Sequence, residues 1–284
     1  MIVALVLLSA FLHALWNALL RVEPDKDRGL VAAIIAGSLF AGVIAIVRWS
    51  FEGEPPFPTL AGFNYTVLAG LFEAVYFVTL TRALERGQLG PVYTISRGGA
   101  VLLVWPLSIV LYAELVTPLS ASGSALVMLG LVMSGIGAHG AGKRDGRPTG
   151  VGWASLCAVS IAGYHLSYKA ALLEGANGSA SFALSLGLSA VLSVIRLGAP
   201  GRRALVQVAR ARFVRVCLMG IVCGGSFLIL MEALSRGGSG YVLTLRNTSV
   251  LFAAALAFTI GERPGRAELV GATLVAAGAV LMAW

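Results

Sequence analysis

The sequence predicts an all-α integral membrane protein, with ten transmembrane helices arranged as two inverted five-helix repeats. Three observations carry that expectation. The 284 residues are 58% hydrophobic and only 12% charged, with a mean hydropathy of +0.88; a soluble domain of this length needs more charge to cover its surface. Apolar runs of membrane-spanning length recur along the whole chain. The second half also repeats the first at an offset of 148–150 residues.

A helix needs ~20 apolar residues to cross ~30 Å of hydrocarbon. Such runs fall near 2–20, 30–47, 60–82, 91–112, 118–137, 150–170, 179–197, 213–234, 240–260 and 265–283. The first resembles a signal-peptide core but has no basic residues before it, and its repeat partner is an internal helix, so it is kept as a span. Connections are short, and several carry breakers: Pro24, Pro55-Pro56, Pro118, Pro148, Pro200 and Pro264. Pro106 falls inside the fourth span and predicts a kink there. The runs are apolar all round, without the alternation of a membrane barrel. The 35 glycines recur inside these runs, as in helices that pack closely in lipid; Gly220 and Gly224 form one such small-xxx-small pair. Cys157, Cys217 and Cys223 read as small buried hydrophobes, without disulfide or metal-ligand spacing.

The repeat is carried by several matches in register. Gly123 and Gly130 follow Glu114 at the intervals by which Gly271 and Gly278 follow Glu262. Ala83-Leu84, Arg86-Gly87 and Gly90 match Ala233-Leu234, Arg236-Gly237 and Gly240, and Arg97 matches Arg246. Trp16 and Arg21 match Tyr164 and Lys169. The units are expected at 1–138 and 150–284, joined by a basic linker at 139–149. An odd number of spans per unit turns the second copy upside down, which places a binding site near the midplane between the halves. Basic residues divide 16 against 3 between the two sides, with Arg97 and Arg246 inside spans. The richer side is expected to be cytoplasmic, with both termini outside a cytoplasmic (inner) membrane. Because the cations lie in loops, the net charge of +8 reads as an orientation signal rather than a nucleic-acid surface.

Two five-helix units of this kind resemble the EamA-like branch of the drug/metabolite transporter superfamily. The resemblance rests on the Ala-Leu pairs that close the third and eighth spans, on Glu114 and Glu262, and on the Gly-bearing last span of each unit. It rests also on first spans that run from Trp16-Asn17 to Arg21 and from Tyr164-His165 to Lys169. It covers essentially the whole chain and implies export of amino acids or other small metabolites.

Arg97 and Arg246 are the leading candidates for contact with such a cargo. Each lies ~9–10 Å into its helix at 1.5 Å per residue, where a lipid-facing arginine costs at least ~2.5–3.5 kcal/mol. Each should therefore face a cavity or a partner, and the guanidinium fork suits a carboxylate; structural pairing or snorkelling is the alternative. Glu73 is expected to pair with one of these arginines, or else to act as a proton-coupling carboxyl. The first spans supply His13, Trp16, Asn17, Tyr164, His165, Ser167 and Tyr168. The third span adds Tyr76 and Thr79 on the face of Glu73, and the ninth adds Tyr241, Thr244, Asn247 and Thr248. An aromatic and hydroxyl wall suits a small amphipathic solute. Glu114 and Glu262 are expected to favour helix N-termini, and Glu232 to be interfacial. No P-loop, His-Glu-x-x-His or metal-ligand pattern is present, so no cofactor or metal is expected. The partners are a small carboxylate-bearing molecule and the bilayer. A sugar phosphate or nucleotide sugar is the second cargo class, and an intramembrane enzyme or a lipid flippase the readings from other classes.

Overall fold

The computed structural model describes residues 2–53, 55–113, 117–145, 150–261 and 265–282. Among the described residues the chain is helical throughout, without strands. The helices are α1 (Ile2–Arg21), α2 (Lys26–Glu52), α3 (Leu60–Arg86), α4 (Leu89–Tyr112), α5 (Pro118–Asp145), α6 (Val151–Leu173) and α7 (Gly178–Arg196). They continue as α8 (Gly198–Ala211), α9 (Phe213–Arg236), α10 (Ser239–Arg246), α11 (Ser249–Thr259) and α12 (Arg266–Met282). Among the described residues eight spans are long and apolar enough to cross a membrane, with α10 and α11 together counted as one. The two remaining expected spans are α5, whose apolar stretch is Ala121–Met133, and the 17-residue α12.

Local chemistry sets the helix ends. Asp25 accepts from the Arg28 amide at 3.1 Å, Thr59 from Gly62 at 3.0 Å, and Asn177 from Ser179 and Ala180 at 3.0 and 3.2 Å; these side chains satisfy amides that have no partner in the first turn. Contacts between loops gather at two opposite ends. At one, Arg21 donates to the Leu84 carbonyl at 2.6 Å, Glu23 pairs with Arg212 and Arg215, and Asp27 pairs with Arg196. At the other, Thr59 donates to the Glu174 carbonyl at 3.2 Å, Lys169 to Gly237 at 3.1 Å, and Arg48 to Glu232 at 3.3 Å.

Helix contacts come in reciprocal sets. α1 packs on α9 as α6 packs on α3; α2 packs on α9 as α7 packs on α3; α1 meets α10 and α11 as α6 meets α4. α5 packs directly on α12. A Cβ built on Gly130 would lie 2.5 Å from the Gly271 carbonyl oxygen, and one on Gly278 would lie 2.5 Å from that of Gly123. Only glycine permits backbones this close. Gly220 meets Ala33 and Gly37 of α2 in the same manner, the packing expected of the Gly220/Gly224 pair. Serines bind the helices further: Ser9 and Ser226 exchange hydroxyl-to-carbonyl bonds of 2.7 and 3.0 Å. Large apolar side chains point outward along α2, among them Leu39, Val43 and Ile46, as lipid requires.

Four expectations change. α8 is a helix where a loop was anticipated, because its Leu205 and Val208 recur at helical spacing among arginines. α5 continues to Asp145, into the segment read as a linker. Cys217 is half-buried rather than buried. The ninth span, expected as one run from 240 to 260, is interrupted at Asn247-Thr248, while α4 is a single helix that contains Pro106. Glu114, Glu262, Pro148, Pro264, Arg147 and Arg263 lie outside the described residues, as do the side chains of Lys143 and Arg144.

Candidate functional site

The bundle interior holds a chain of touching polar and aromatic side chains. Arg246, at the C-terminal end of α10, is 1% exposed. Its Nη2 lies 3.0 Å from His13 Nδ1 and donates to Ser226 Oγ at 3.1 Å, while its guanidinium carbon sits 4.6 Å from the centre of the Phe227 ring. Trp16 Nε1 also donates to His13 Nδ1, at 3.2 Å. Two donors on Nδ1 make it the acceptor and put the imidazole proton on Nε2. Asn17 donates to the His13 carbonyl at 2.7 Å, which fixes its amide oxygen as the free end.

His13 leads to Tyr93, 6.0 Å away between ring centres, and Tyr93 to Arg97, whose guanidinium carbon lies 5.7 Å from the Tyr93 ring centre. Phe227 leads in the other direction to Tyr164 at 5.9 Å. Tyr164 touches Tyr76 at 5.5 Å, stacks on His165 at 4.8 Å, and meets Tyr168 at 5.9 Å. Tyr168 donates to Glu73 Oε1 at 2.7 Å and contacts Ser185. Helices α1, α3, α4, α6, α7, α9 and α10 thus each supply part of one connected, buried cluster.

Many polar atoms of this cluster have no hydrogen-bond partner within the protein. They include both terminal nitrogens of Arg97, Nε and Nη1 of Arg246, Oε2 of Glu73, Oδ1 of Asn17, Nε2 of His13 and of His165, and the hydroxyls of Tyr93 and Tyr164. Both amide atoms of Asn247 and the Ser249 hydroxyl belong with them. Each unpaired buried polar group costs about 1–3 kcal/mol, so natural interiors keep few of them. Here they converge.

The expected ion pair between Glu73 and an arginine does not form. Tyr168 and Ser185 hold the carboxylate against α6 and α7, while His13 and Ser226 hold Arg246 against α1 and α9. Thr79 and Thr248 turn their hydroxyls to carbonyls of their own turns, at 2.9 Å in each case. Thr244 is buried on α10. Ser167 bonds back to Gly163 at 2.8 Å and lines an apolar outer groove; Tyr241 is half-buried beside Gly237. Tyr93, Phe227, Ser226 and Ser185 were not anticipated. Tyr93 was findable, one helical turn before Arg97 on the same face. The other three sit in the apolar seventh and eighth spans without a local signal.

At the break after Arg246, backbone donors turn to partners three residues back: Asn247 to Thr244 at 2.9 Å and Thr248 to Leu245 at 3.2 Å. The tighter turn keeps these amides bonded and brings Asn247 and Ser249 into the buried cluster.

The spans and the buried arginines define the class: a multi-pass helical membrane protein with two cationic side chains in its interior. The model of the EamA-like transporter family matches residues 148–284, so this part of the chain is similar to that family, in keeping with the drug/metabolite transporter resemblance. No curated protein matches the chain. A solved structure described as "Crystal structure of protein" is similar with a TM-score of 0.65 at 17% identity, over 99% of this chain and 95% of that chain. At that identity the likeness speaks for the fold alone.

Proposed function

We propose that this chain is a secondary transporter that moves small carboxylate-bearing metabolites, amino acids foremost, by alternating access around the buried cluster. The observation that carries this reading is the arginine pair. Arg97 and Arg246 occupy repeat-equivalent positions, are 2% and 1% exposed, and form no ion pair among the described residues. An uncompensated cation in a membrane interior costs at least ~2.5–3.5 kcal/mol. A carboxylate entering between them supplies the counter-charge, and the free guanidinium nitrogens offer it charge-assisted bonds. Glu73 Oε2 and Asn17 Oδ1, both without partners, suit the ammonium of an amino acid, and Trp16, Tyr76, Tyr164, His165 and Tyr168 suit its side chain. A phosphate ester would satisfy the arginines too, but its second negative charge would meet Glu73.

In this reading the chain has ten spans in two inverted repeats, 1–138 and 150–284. The reciprocal helix contacts support a two-fold relation between the units, and the grouping of loops at two ends supports the span count. The broken ninth span adds a point where one half can rock against the other around a central site.

The test is counterflow in proteoliposomes with a panel of radiolabelled amino acids and sugar phosphates, repeated with Arg97→Ala and Arg246→Ala. Loss of amino-acid counterflow in both variants is the expected result. Normal counterflow in both refutes the site. Counterflow of sugar phosphates alone moves the assignment to the second cargo class, while lipid scrambling or chemical turnover without solute flux rejects transport.

A further inference from the structure

The helix α8 has no counterpart among the described residues between α2 and α3, of which 53 and 55–59 are not helical. Its inward side is apolar: Gly201 and Leu205 are buried and Ala209 packs on the core, against α2, α7 and α9. Its outward side exposes Arg202, Arg203, Val206 and Arg210, and the chain continues into Phe213 and Val214, which are 66% and 79% exposed. The stretch 198–215 carries five arginines and no acidic residue. Arg212 and Arg215 share Glu23, whereas Arg202, Arg203 and Arg210 have no ion-pair partner among the described residues. A depression of about 560 Å³ lies at the junction, lined by Val22, Pro24, Arg210, Arg212, Phe213 and Arg215.

We infer that α8 and the start of α9 form an interfacial site for anionic phospholipid, separate from the cargo site. A soluble anion would meet the arginines and leave Phe213 and Val214 in water. An anionic lipid meets both: its headgroup lies against Arg202, Arg203 and Arg210, and its acyl region against the exposed apolar pair, which Leu218 and Ile221 continue along the outer side of α9. Amphipathic helices with basic outer faces lie at bilayer surfaces in this way, and basic pockets beside membrane helices take anionic headgroups.

Native mass spectrometry of the full-length protein in an equal mixture of phosphatidylglycerol and phosphatidylcholine tests the site. Each arginine at an anionic surface is worth about fivefold in binding. The wild type should retain phosphatidylglycerol preferentially; R202Q/R203Q/R210Q should lose at least about tenfold of that preference. R210Q alone, which leaves the inward side of α8 intact, should lose about fivefold and keeps the test decisive if the triple variant folds poorly. F213S/V214S should weaken retention as well, which a site for headgroup charge alone would not show. The exposed Arg82, changed as R82Q, should have no effect. An unchanged preference in R210Q and the triple variant overturns the inference, as does an equal loss in R82Q or displacement of the lipid by inorganic phosphate.

Discussion

The two buried arginines differ in what holds them, and the difference is measurable. Arg246 bonds to His13 and Ser226 and lies over Phe227, whereas both terminal nitrogens of Arg97 lack partners and its guanidinium lies beside the Tyr93 ring. Removing a buried charge that nothing neutralises relieves desolvation, while removing one that is bonded strands its partners. Arg97→Met should therefore raise thermal stability in detergent without cargo and still abolish counterflow. Arg246→Met should lower both. If Arg97→Met lowers stability as much as Arg246→Met, Arg97 is anchored as firmly as Arg246 and the distinction fails. Glu73 offers a second residue-scale test. Glutamine keeps an oxygen to accept from Tyr168 and removes the negative charge, so Glu73→Gln should fold normally. It should weaken amino-acid counterflow by about tenfold, the loss of one hydrogen bond to a charged group. The corresponding 2-oxo acid, which has no ammonium, should be unaffected. Equal losses for both cargoes would remove Glu73 from ammonium recognition.

Among the elements, close packing at glycines sets how firmly the helices are joined. A Cβ on Gly220 would lie 2.6 Å from the Ala33 carbonyl oxygen and 2.7 Å from the Ala36 Cβ, so α2 and α9 would have to separate; one on Gly225 of the same helix meets nothing within 4 Å. Overpacking costs about 1–3 kcal/mol, whereas alanine for glycine in a helix gains about 0.5–1 kcal/mol. Gly220→Ala should thus lose monodisperse protein on heating at lower temperature than the wild type, and Gly225→Ala at the same or a higher one. This contact was legible in the sequence because small residues four apart mark a helix seam. The spans were legible for a similar reason, since twenty apolar residues leave few alternatives. The break at Asn247-Thr248 was not, because both residues also sit inside helices and Pro106 drew the expectation to the fourth span. Nor was α8: its arginines lower its hydropathy below any membrane threshold, and only the spacing of Leu205 and Val208 marks it as a helix. Within the cluster, Arg97, Arg246, Trp16 and Tyr164 stood out as polar or aromatic residues in apolar runs. Tyr168 stood out with them, but its bond to Glu73 did not, and Ser185 left no signal, since both reach Glu73 from other helices.

At the scale of the whole molecule the question is whether the two units lie in opposite senses, and repeat-equivalent residues put it most directly. Arg86 closes α3 and Arg236 closes α9; both are exposed and stand one repeat apart. Arg86 belongs to the chain end where Arg21 reaches the Leu84 carbonyl, and Arg236 to the end where Lys169 reaches Gly237. In the proposed inverted arrangement these caps are equivalent, and each unit carries its own to a different end of the bundle. In a background without Cys157, Cys217 and Cys223, the R86C and R236C variants should react with an impermeant maleimide from opposite sides of the membrane. The charge bias sets the order: R236C should label in intact cells, and R86C only after the membrane is opened. If both label from one side, the units lie the same way up and no two-fold places Arg97 opposite Arg246 across a shared centre. If they label from opposite sides in the reverse order, the inverted repeat stands. Both termini then face the cytoplasm, because the 16 basic residues that were taken to hold one end there are outweighed by the insertion of the first helix.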